Sequence, residues 1–168
     1  MSAATPGEYR VVVEKDFLKF SAAHFIAYKG FREPLHGHNY QVSVAISGTV
    51  GSDGYVLDFG VVKRITKEVC AELDERVLVP AESDCLVVTR EGASVVLVYE
   101  DGTRFVFPAS DVVLLPIVHA SAEELAAYVL RRLRDGLRAH ETRGLSEIEV
   151  GVGEAPGQAA YCRVRLGS

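Results

Sequence analysis

Cysteine is scarce in this chain of 168 residues. Cys70, Cys85 and Cys162 are odd in number, widely spaced and form no C-x-x-C pair, which excludes a disulfide framework and a thiolate zinc site. Lys/Arg-rich runs are absent, aromatic and basic residues do not interleave, and the net charge is -5, so nothing points to nucleic acid as a partner. The apolar runs are far too short to span a bilayer. The opening MSAATPGEYR has no apolar signal core. These absences describe a cytoplasmic protein with no membrane partner. What is present is ordinary for a globular chain, with 48% hydrophobic and 24% charged residues. The length suffices for one domain with a full core.

The apolar pattern is that of a mixed chain. Residues 1–7 read as a loose terminus. YRVVVEKDFLKF, residues 9–20, reads as a long strand whose apolar parity changes from odd (Val11, Val13) to even (Leu18, Phe20), as a bulge near Lys15 would produce. His24 keeps the even parity. After the breaker-rich stretch YKGFREP, a second strand covers about 36–47. His36, His38, Tyr40, Val42, Val44 and Ile46 share one of its faces, which predicts that the histidines continue the buried face. Asp58 suits the N-cap of a helix over 59–75. Ser121 and Glu124 form a capping box for a second helix over 122–138. Between the helices, CLVVTR, VVLVYE and TRFVFP read as three short strands, the last two around the hairpin signal Asp101-Gly102. EIEVGV and AAYCRVRL close the chain as two strands joined by GEAPGQ. The expected organisation is one domain over residues 1–168, with 79–115 inserted between the helices.

Chemistry concentrates before and within the second strand. Positions i and i+2 of a strand point the same way, so His36 and His38 can hold one ion together, and Gly37 leaves room between them. His24 can complete the set from the neighbouring strand. Three imidazoles with no fourth protein ligand describe a zinc site with an open position. An H-x-H pair also arises by coincidence or as hydrogen-bonded core histidines. Glu33, three residues before His36, is a candidate proton carrier beside such a metal, or a solvated loop acid. Lys29 and Arg32 flank it. Glu154, at the end of a strand before Ala155-Pro156-Gly157, can accept two parallel hydrogen bonds from an amidine-like group such as that of a pterin or guanine, or can be a turn acid. Asp74 and Glu75 are ill placed for the dipole at the end of the first helix. Cys70 and Cys162 read as core residues with no histidine beside them, which removes a cysteine nucleophile. His119 and His140 fall to loop or surface.

FSAAH, LHGHNY, GYVLDF, the LDE that ends the first helix, SAEELA and GEAPGQAAY stand in an order similar to that of the 6-pyruvoyltetrahydropterin and 6-carboxytetrahydropterin synthase family, over nearly the whole chain. The resemblance implies an α+β tunnelling fold, an antiparallel four-stranded sheet with two helices on one face. It also implies trimers joined edge to edge and stacked as hexamers, with active sites between subunits. It makes His24, His36 and His38 the Zn2+ ligands, Glu154 the acid that grips the pterin ring and Ser121 a hydroxyl near that ring. The usual enzymes carry a catalytic cysteine before the H-x-H pair; FIAYKGFREP has none. The chain resembles a subgroup with a longer insertion and a glutamate in place of that cysteine, and Glu33 is the matching position. Members of that subgroup cleave the side chain of 7,8-dihydroneopterin triphosphate to 6-hydroxymethyl-7,8-dihydropterin, with some 6-pyruvoyltetrahydropterin. Asp74 and Glu75 stand where the family usually has an Asp-His proton relay, and are further catalytic candidates. A glutamate base ionises near neutral pH without such a relay, since its ordinary pKa is about 4.3. Two other expectations remain open: a family member turned to another substrate, and a zinc-bearing pterin- or purine-binding oligomer without catalysis.

Overall fold

The computed structural model describes residues 7–140 and 142–167; residues 1–6 of the expected loose terminus lie outside them. The described elements are β1 (Glu8–His24), β2 (Ala27–Tyr28), β3 (Phe31–Arg32), β4 (His36–Thr49), α1 (Phe59–Leu73), β5 (Arg76–Pro80), β6 (Leu86–Glu91), β7 (Ser94–Tyr99), β8 (Arg104–Pro108), β9 (Val112–Leu115), α2 (Ala122–Leu137), β10 (Leu145–Ala155) and β11 (Gln158–Arg165).

β1 and β4 form an antiparallel pair from Glu8↔Thr49 to His24↔His36. The register slips between Glu14 and Lys19, where the sequence changes parity, so residues 15–18 bulge against Val42. The slip restores the inward phase: Val13, Leu18, Phe20, Ala22 and His24 are all buried. β10 and β11 add to the far side of β4, giving the antiparallel order β11-β10-β4-β1. The sheet does not stop at four strands. β5 runs parallel to β1 through Ala22↔Arg76 and Ala23↔Val77, and β9 runs parallel to β5. The sheet is therefore six-stranded and mixed. The two ends of the expected 79–115 insertion belong to it, and only β6-β7-β8 form a separate three-stranded sheet.

Both helices bury their apolar stripes in the core that covers one face of the sheet, with Val62, Ile65, Val69 and Leu73 from α1 and Leu125, Val129, Leu133 and Leu137 from α2. Asp58 caps α1 by accepting the amide of Gly60 at 2.7 Å. The helix ends at Leu73, earlier than the pattern indicated. Gly136 lets the helices meet: a Cβ there would stand 2.7 Å from Cγ2 of Ile65. Ser121 caps α2. Glu124 does not turn back to its amide as in a capping box. It accepts the amides of Val118 and His119 at 2.8 and 3.1 Å instead, which fixes the loop before the helix. The Asp101-Gly102 turn is longer than two residues. Glu100, Asp101 and Gly102 lie between Tyr99 and Thr103, which are joined by a hydrogen bond of 2.9 Å, and Gly102 takes φ +85°. Among the described residues no helix is long and apolar enough to cross a membrane.

Candidate metal centre and the acids around it

The β1–β4 register creates the site. His24 ends β1 directly opposite His36 at the start of β4, and His38 stands opposite Ala22. All three rings emerge on one face, with centroids 4.6, 5.0 and 5.1 Å apart. One ligand atom from each lies within 4.8 Å of the others. The face is not uniformly buried: His24 is 1% exposed, His38 is half-buried and His36 is exposed. The expected burial therefore fades toward the strand end, and the cluster opens outward at His36.

Hydrogen bonds set the tautomers. Nδ1 of His24 lies 2.6 Å from the carbonyl of Ala120, and Nδ1 of His36 lies 2.9 Å from that of Pro34. A carbonyl only accepts, so in both rings Nδ1 carries the proton and Nε2 keeps its lone pair. Nε2 of His24 is buried with no hydrogen-bond partner among the described residues. An orphaned lone pair in such a place is costly unless something binds it. Burial pushes the His24 imidazole below its ordinary pKa; the Ala120 carbonyl opposes this, His36 and His38 add to it, and Glu154 opposes it. These residues fit a divalent transition metal: a neutral nitrogen donor set, oriented from behind by carbonyls.

Glu33 follows the small β2–β3 hairpin, which forms around the breaker-rich stretch YKGFREP where no strand is expected. Its amide donates to the carbonyl of Ile26 at 2.9 Å, and its Oε2 accepts the amide of Ile26 at 3.0 Å. One carboxylate oxygen is thus tethered and the half-buried side chain is held in place. Glu154 sits in a bulge: Gly153 pairs with Ala159 and Ala155 with Gln158, so Glu154 is the extra residue. Bulges re-aim side chains, and Glu154 lines an open cleft of about 900 Å³ with His38, Asn39, Gln41 and Tyr161.

Tyr40 completes the group, and the sequence reading placed it only on the shared face. Its ring lies 5.5 Å from His38 and 5.8 Å from His24, and its buried hydroxyl has no partner among the described residues. Burial raises the pKa of that hydroxyl, and Glu154 and then Glu33 raise it further. Both acids therefore lie within electrostatic reach of one point beside the histidines. The alternation that put His36 and His38 on one face was the signal that could have found Tyr40.

Asp74 and Glu75 clasp β1 to the end of α1. Asp74 Oδ1 accepts the amide of Ser21 at 2.7 Å, and the amide of Glu75 donates to the Ser21 carbonyl at 2.7 Å. Glu75 takes φ +55°, a left-handed conformation for a non-glycine residue. It lines a second cleft, of about 540 Å³, with His38 and Asn39. Ser121 follows Ala120, whose carbonyl holds His24. His119, expected at loop or surface, is a half-buried loop residue whose Nδ1 donates to the carbonyl of Ala27 at 3.0 Å. No local pattern marks it, because its partner lies 92 residues away. His140 stands apart beside Arg64. Burial, with Asp74 nearby, pushes the Cys70 thiol up to about 12, so it is inert at neutral pH.

Residues 13–165 match the family model for 6-pyruvoyl tetrahydropterin synthase. A Methanocaldococcus jannaschii protein provisionally named 6-carboxy-5,6,7,8-tetrahydropterin synthase is 33% identical over 150 residues, spanning 89% of this chain and 91% of the relative. The crystal structure of 6-pyruvoyl tetrahydropterin synthase from Plasmodium vivax superposes with a TM-score of 0.91 at 38% identity, over 95% of this chain and 99% of that one. Two further structures of the P. vivax enzyme carry alanine or cysteine in place of a glutamate described as a catalytic residue. A dihydroneopterin monophosphate aldolase from Pyrococcus furiosus is 39% identical over 57 residues, 34% of this chain and 48% of the relative.

Proposed function

Since the chain belongs to the 6-pyruvoyl tetrahydropterin synthase family, we propose that it is a zinc-dependent lyase acting on the side chain of 7,8-dihydroneopterin triphosphate. The main product is 6-hydroxymethyl-7,8-dihydropterin, with 6-pyruvoyltetrahydropterin as a second product. The observation that carries this reading is the convergence of His24, His36 and His38, with a tethered Glu33 whose charge reaches the neighbouring Tyr40 hydroxyl, in a chain with no cysteine between His24 and His36. The P. vivax enzyme supports a glutamate in the catalytic role, and the P. furiosus aldolase supports carbon–carbon cleavage of a dihydropterin side chain.

His24, His36 and His38 would hold Zn2+, which supplies Lewis acidity that makes nearby hydroxyls easier to deprotonate. Glu33 takes the proton from the side-chain hydroxyl next to the bond that breaks. The C–C bond electrons move into the ring-conjugated carbon, and the departing fragment leaves as an aldehyde bearing the triphosphate. Glu33 then returns the proton to the carbon attached to the ring. Its fixed Oε2 leaves the second oxygen for this transfer. Glu154 accepts the 2-amino and ring N–H groups of the pterin as two parallel charge-assisted bonds. Ser121 offers a hydroxyl near the same ring. Asp74 sets the β1–α1 junction, and Glu75 lends its charge to the cleft it shares with His38. The open edges at β11 and β9 pair between copies, giving trimers that stack as hexamers and leaving fewer strand edges exposed.

The test is product analysis by mass spectrometry after incubating the zinc-loaded protein with 7,8-dihydroneopterin triphosphate, with and without a chelator. Chelator-sensitive formation of 6-hydroxymethyl-7,8-dihydropterin is expected. Unchanged substrate in the presence of protein carrying one zinc per chain refutes the assignment.

A further inference from the structure

The hairpin ahead of Glu33 has a ladder of only two pairs, Ala27↔Arg32 and Tyr28↔Phe31. An isolated ladder of that length is not stable in water, yet a group that moves protons must be held to a fraction of an ångström. The support comes from the β6-β7-β8 sheet. The Tyr99 hydroxyl lies 3.0 Å from the carbonyl of Tyr28 and 3.1 Å from Oε1 of Glu100, so its one proton is shared between two acceptors. The same Glu100 oxygen accepts the amide of Gly30, at the hairpin tip, at 2.6 Å. The Arg32 guanidinium lies over the Phe105 ring at 5.1 Å and over Phe25 at 6.0 Å, and its Nη1 donates to the carbonyl of Glu33 at 2.8 Å. Phe25 and Phe105 stack at 4.8 Å. Phe25 and Ala27 share a small core with Leu86, Val95, Leu97 and Tyr99, separate from the core under the main sheet. The polar and aromatic anchors, Tyr99, Glu100 and Phe105, belong to β7, the turn after it and β8, while Leu86 of β6 joins the apolar packing and His119, in the loop before α2, adds a bond to the Ala27 carbonyl.

We propose that the inserted sheet is a clamp for the Glu33 hairpin, and that Tyr99, Glu100 and Phe105 are positioning residues for proton transfer by Glu33. This rests on the reading of Glu33 as the proton carrier. The logic is geometric. Ile26 can hold Oε2 of Glu33 only while the hairpin is closed, and Tyr99, Glu100 and the ring under Arg32 keep it closed. Displacing a reacting group by about 1 Å can cost on the order of a hundredfold in rate, whereas substrate and metal are held by other residues. Loosening the clamp should therefore lower kcat and leave KM and zinc content in place.

The experiment uses the full chain loaded with zinc. It compares wild type with the double variant Tyr99→Phe/Glu100→Ala, which removes both the hydroxyl and the acceptor for the Gly30 amide, with Phe105→Leu, and with Phe105→Tyr as the conservative rescue. Zinc content, kcat, KM and hydrogen exchange of amides 26–33 are measured together. The double variant and Phe105→Leu should keep one zinc per chain and an unchanged KM, lose roughly tenfold in kcat and exchange the hairpin amides faster. Phe105→Tyr should restore both properties. Wild-type exchange and kcat in both loosened variants overturn the clamp, and so does parallel loss of zinc and turnover, which marks a purely structural role. Glu33→Gln separates the two readings. If it turns over normally, the proton-carrier reading falls and the clamp's catalytic role with it. If it is inactive while the loosened variants match wild type, the clamp alone falls.

Discussion

The His24 imidazole couples the candidate metal site to the stability of the fold, and pH is the perturbation that exposes it. The ring is 1% exposed, and its Nδ1 proton is committed to Ala120. Burial holds its pKa below the ordinary 6.5. Below that pH the unfolded chain takes up a proton at this position before the folded chain does, so stability falls as pH falls. The loss continues until the folded imidazole also protonates, and the steepest slope one such group can give is about 1.4 kcal/mol per pH unit. Metal adds a second dependence of the same sign. At a hundred times its Kd, zinc raises stability by about 2.7 kcal/mol, and the increment shrinks on acidification because the ligand nitrogens must be free of protons. The assay is urea unfolding of chelator-treated and zinc-loaded protein between about pH 5 and 7.5, compared with His24→Asn. Asparagine keeps an N–H donor toward Ala120 and does not titrate. Wild-type apoprotein should lose stability toward acid more steeply than the variant, and zinc should stabilise the wild type more. Parallel profiles for the two apoproteins, or a wild type that gains stability on acidification, refute a neutral buried His24.

Glu33→Gln keeps an oxygen for the Ile26 amide and removes the base; kcat should drop by about 10²–10⁴ in a product-formation assay, with zinc per chain unchanged by elemental analysis. Glu154→Gln replaces charge-assisted bonds with neutral ones and should weaken binding of a dihydropterin by about 1.5–3 kcal/mol, read by fluorescence titration, with the melting temperature unaltered. Gly136→Ala forces a methyl to within 2.7 Å of Ile65 between the helices. It should cost about 1–3 kcal/mol in unfolding free energy, although alanine favours an isolated helix.

The residues that could be read from the sequence are those whose partners are a few positions away. Alternation from His36 to Ile46 is a property of one strand, and the parity change before Leu18 announced the β1 bulge because a slip by one residue would have put apolar side chains in water. The Asp58 and Ser121 caps are equally local. What escaped depends on distant partners. RVLVP and VVLL are too short to show a period; RVLVP becomes a strand because Ala22 and Ala23 of β1 supply a parallel edge, and VVLL because RVLVP then supplies the next one. The Glu124 side chain chose the amides of Val118 and His119 because the loop before α2 folds back over it. His119 gained its role from a hairpin far earlier in the chain. The histidine cluster lies between these cases. Two of its members are two residues apart, while the pairing of His24 with His36 is tertiary, and only the matching parity of the two strands connected them in advance.

Glu75 shows where local preference was overridden. A left-handed conformation costs an ordinary residue about 1–2 kcal/mol, a penalty that Asn largely escapes. At φ +55° Glu75 bears that cost, while its amide still bonds to the Ser21 carbonyl, a bond any non-proline residue can make. The carboxylate adds nothing to the clasp, which Asp74 Oδ1 already closes from the other side. Strained non-glycine residues concentrate where function requires the side chain, and this one faces the cleft it shares with His38. Replacing Glu75 with Asn should therefore raise unfolding free energy by about 1 kcal/mol in urea titrations while lowering turnover of 7,8-dihydroneopterin triphosphate. Higher stability with undiminished turnover would mean that the strained acid serves nothing in the cleft, and that only Asp74 at this junction matters to the fold.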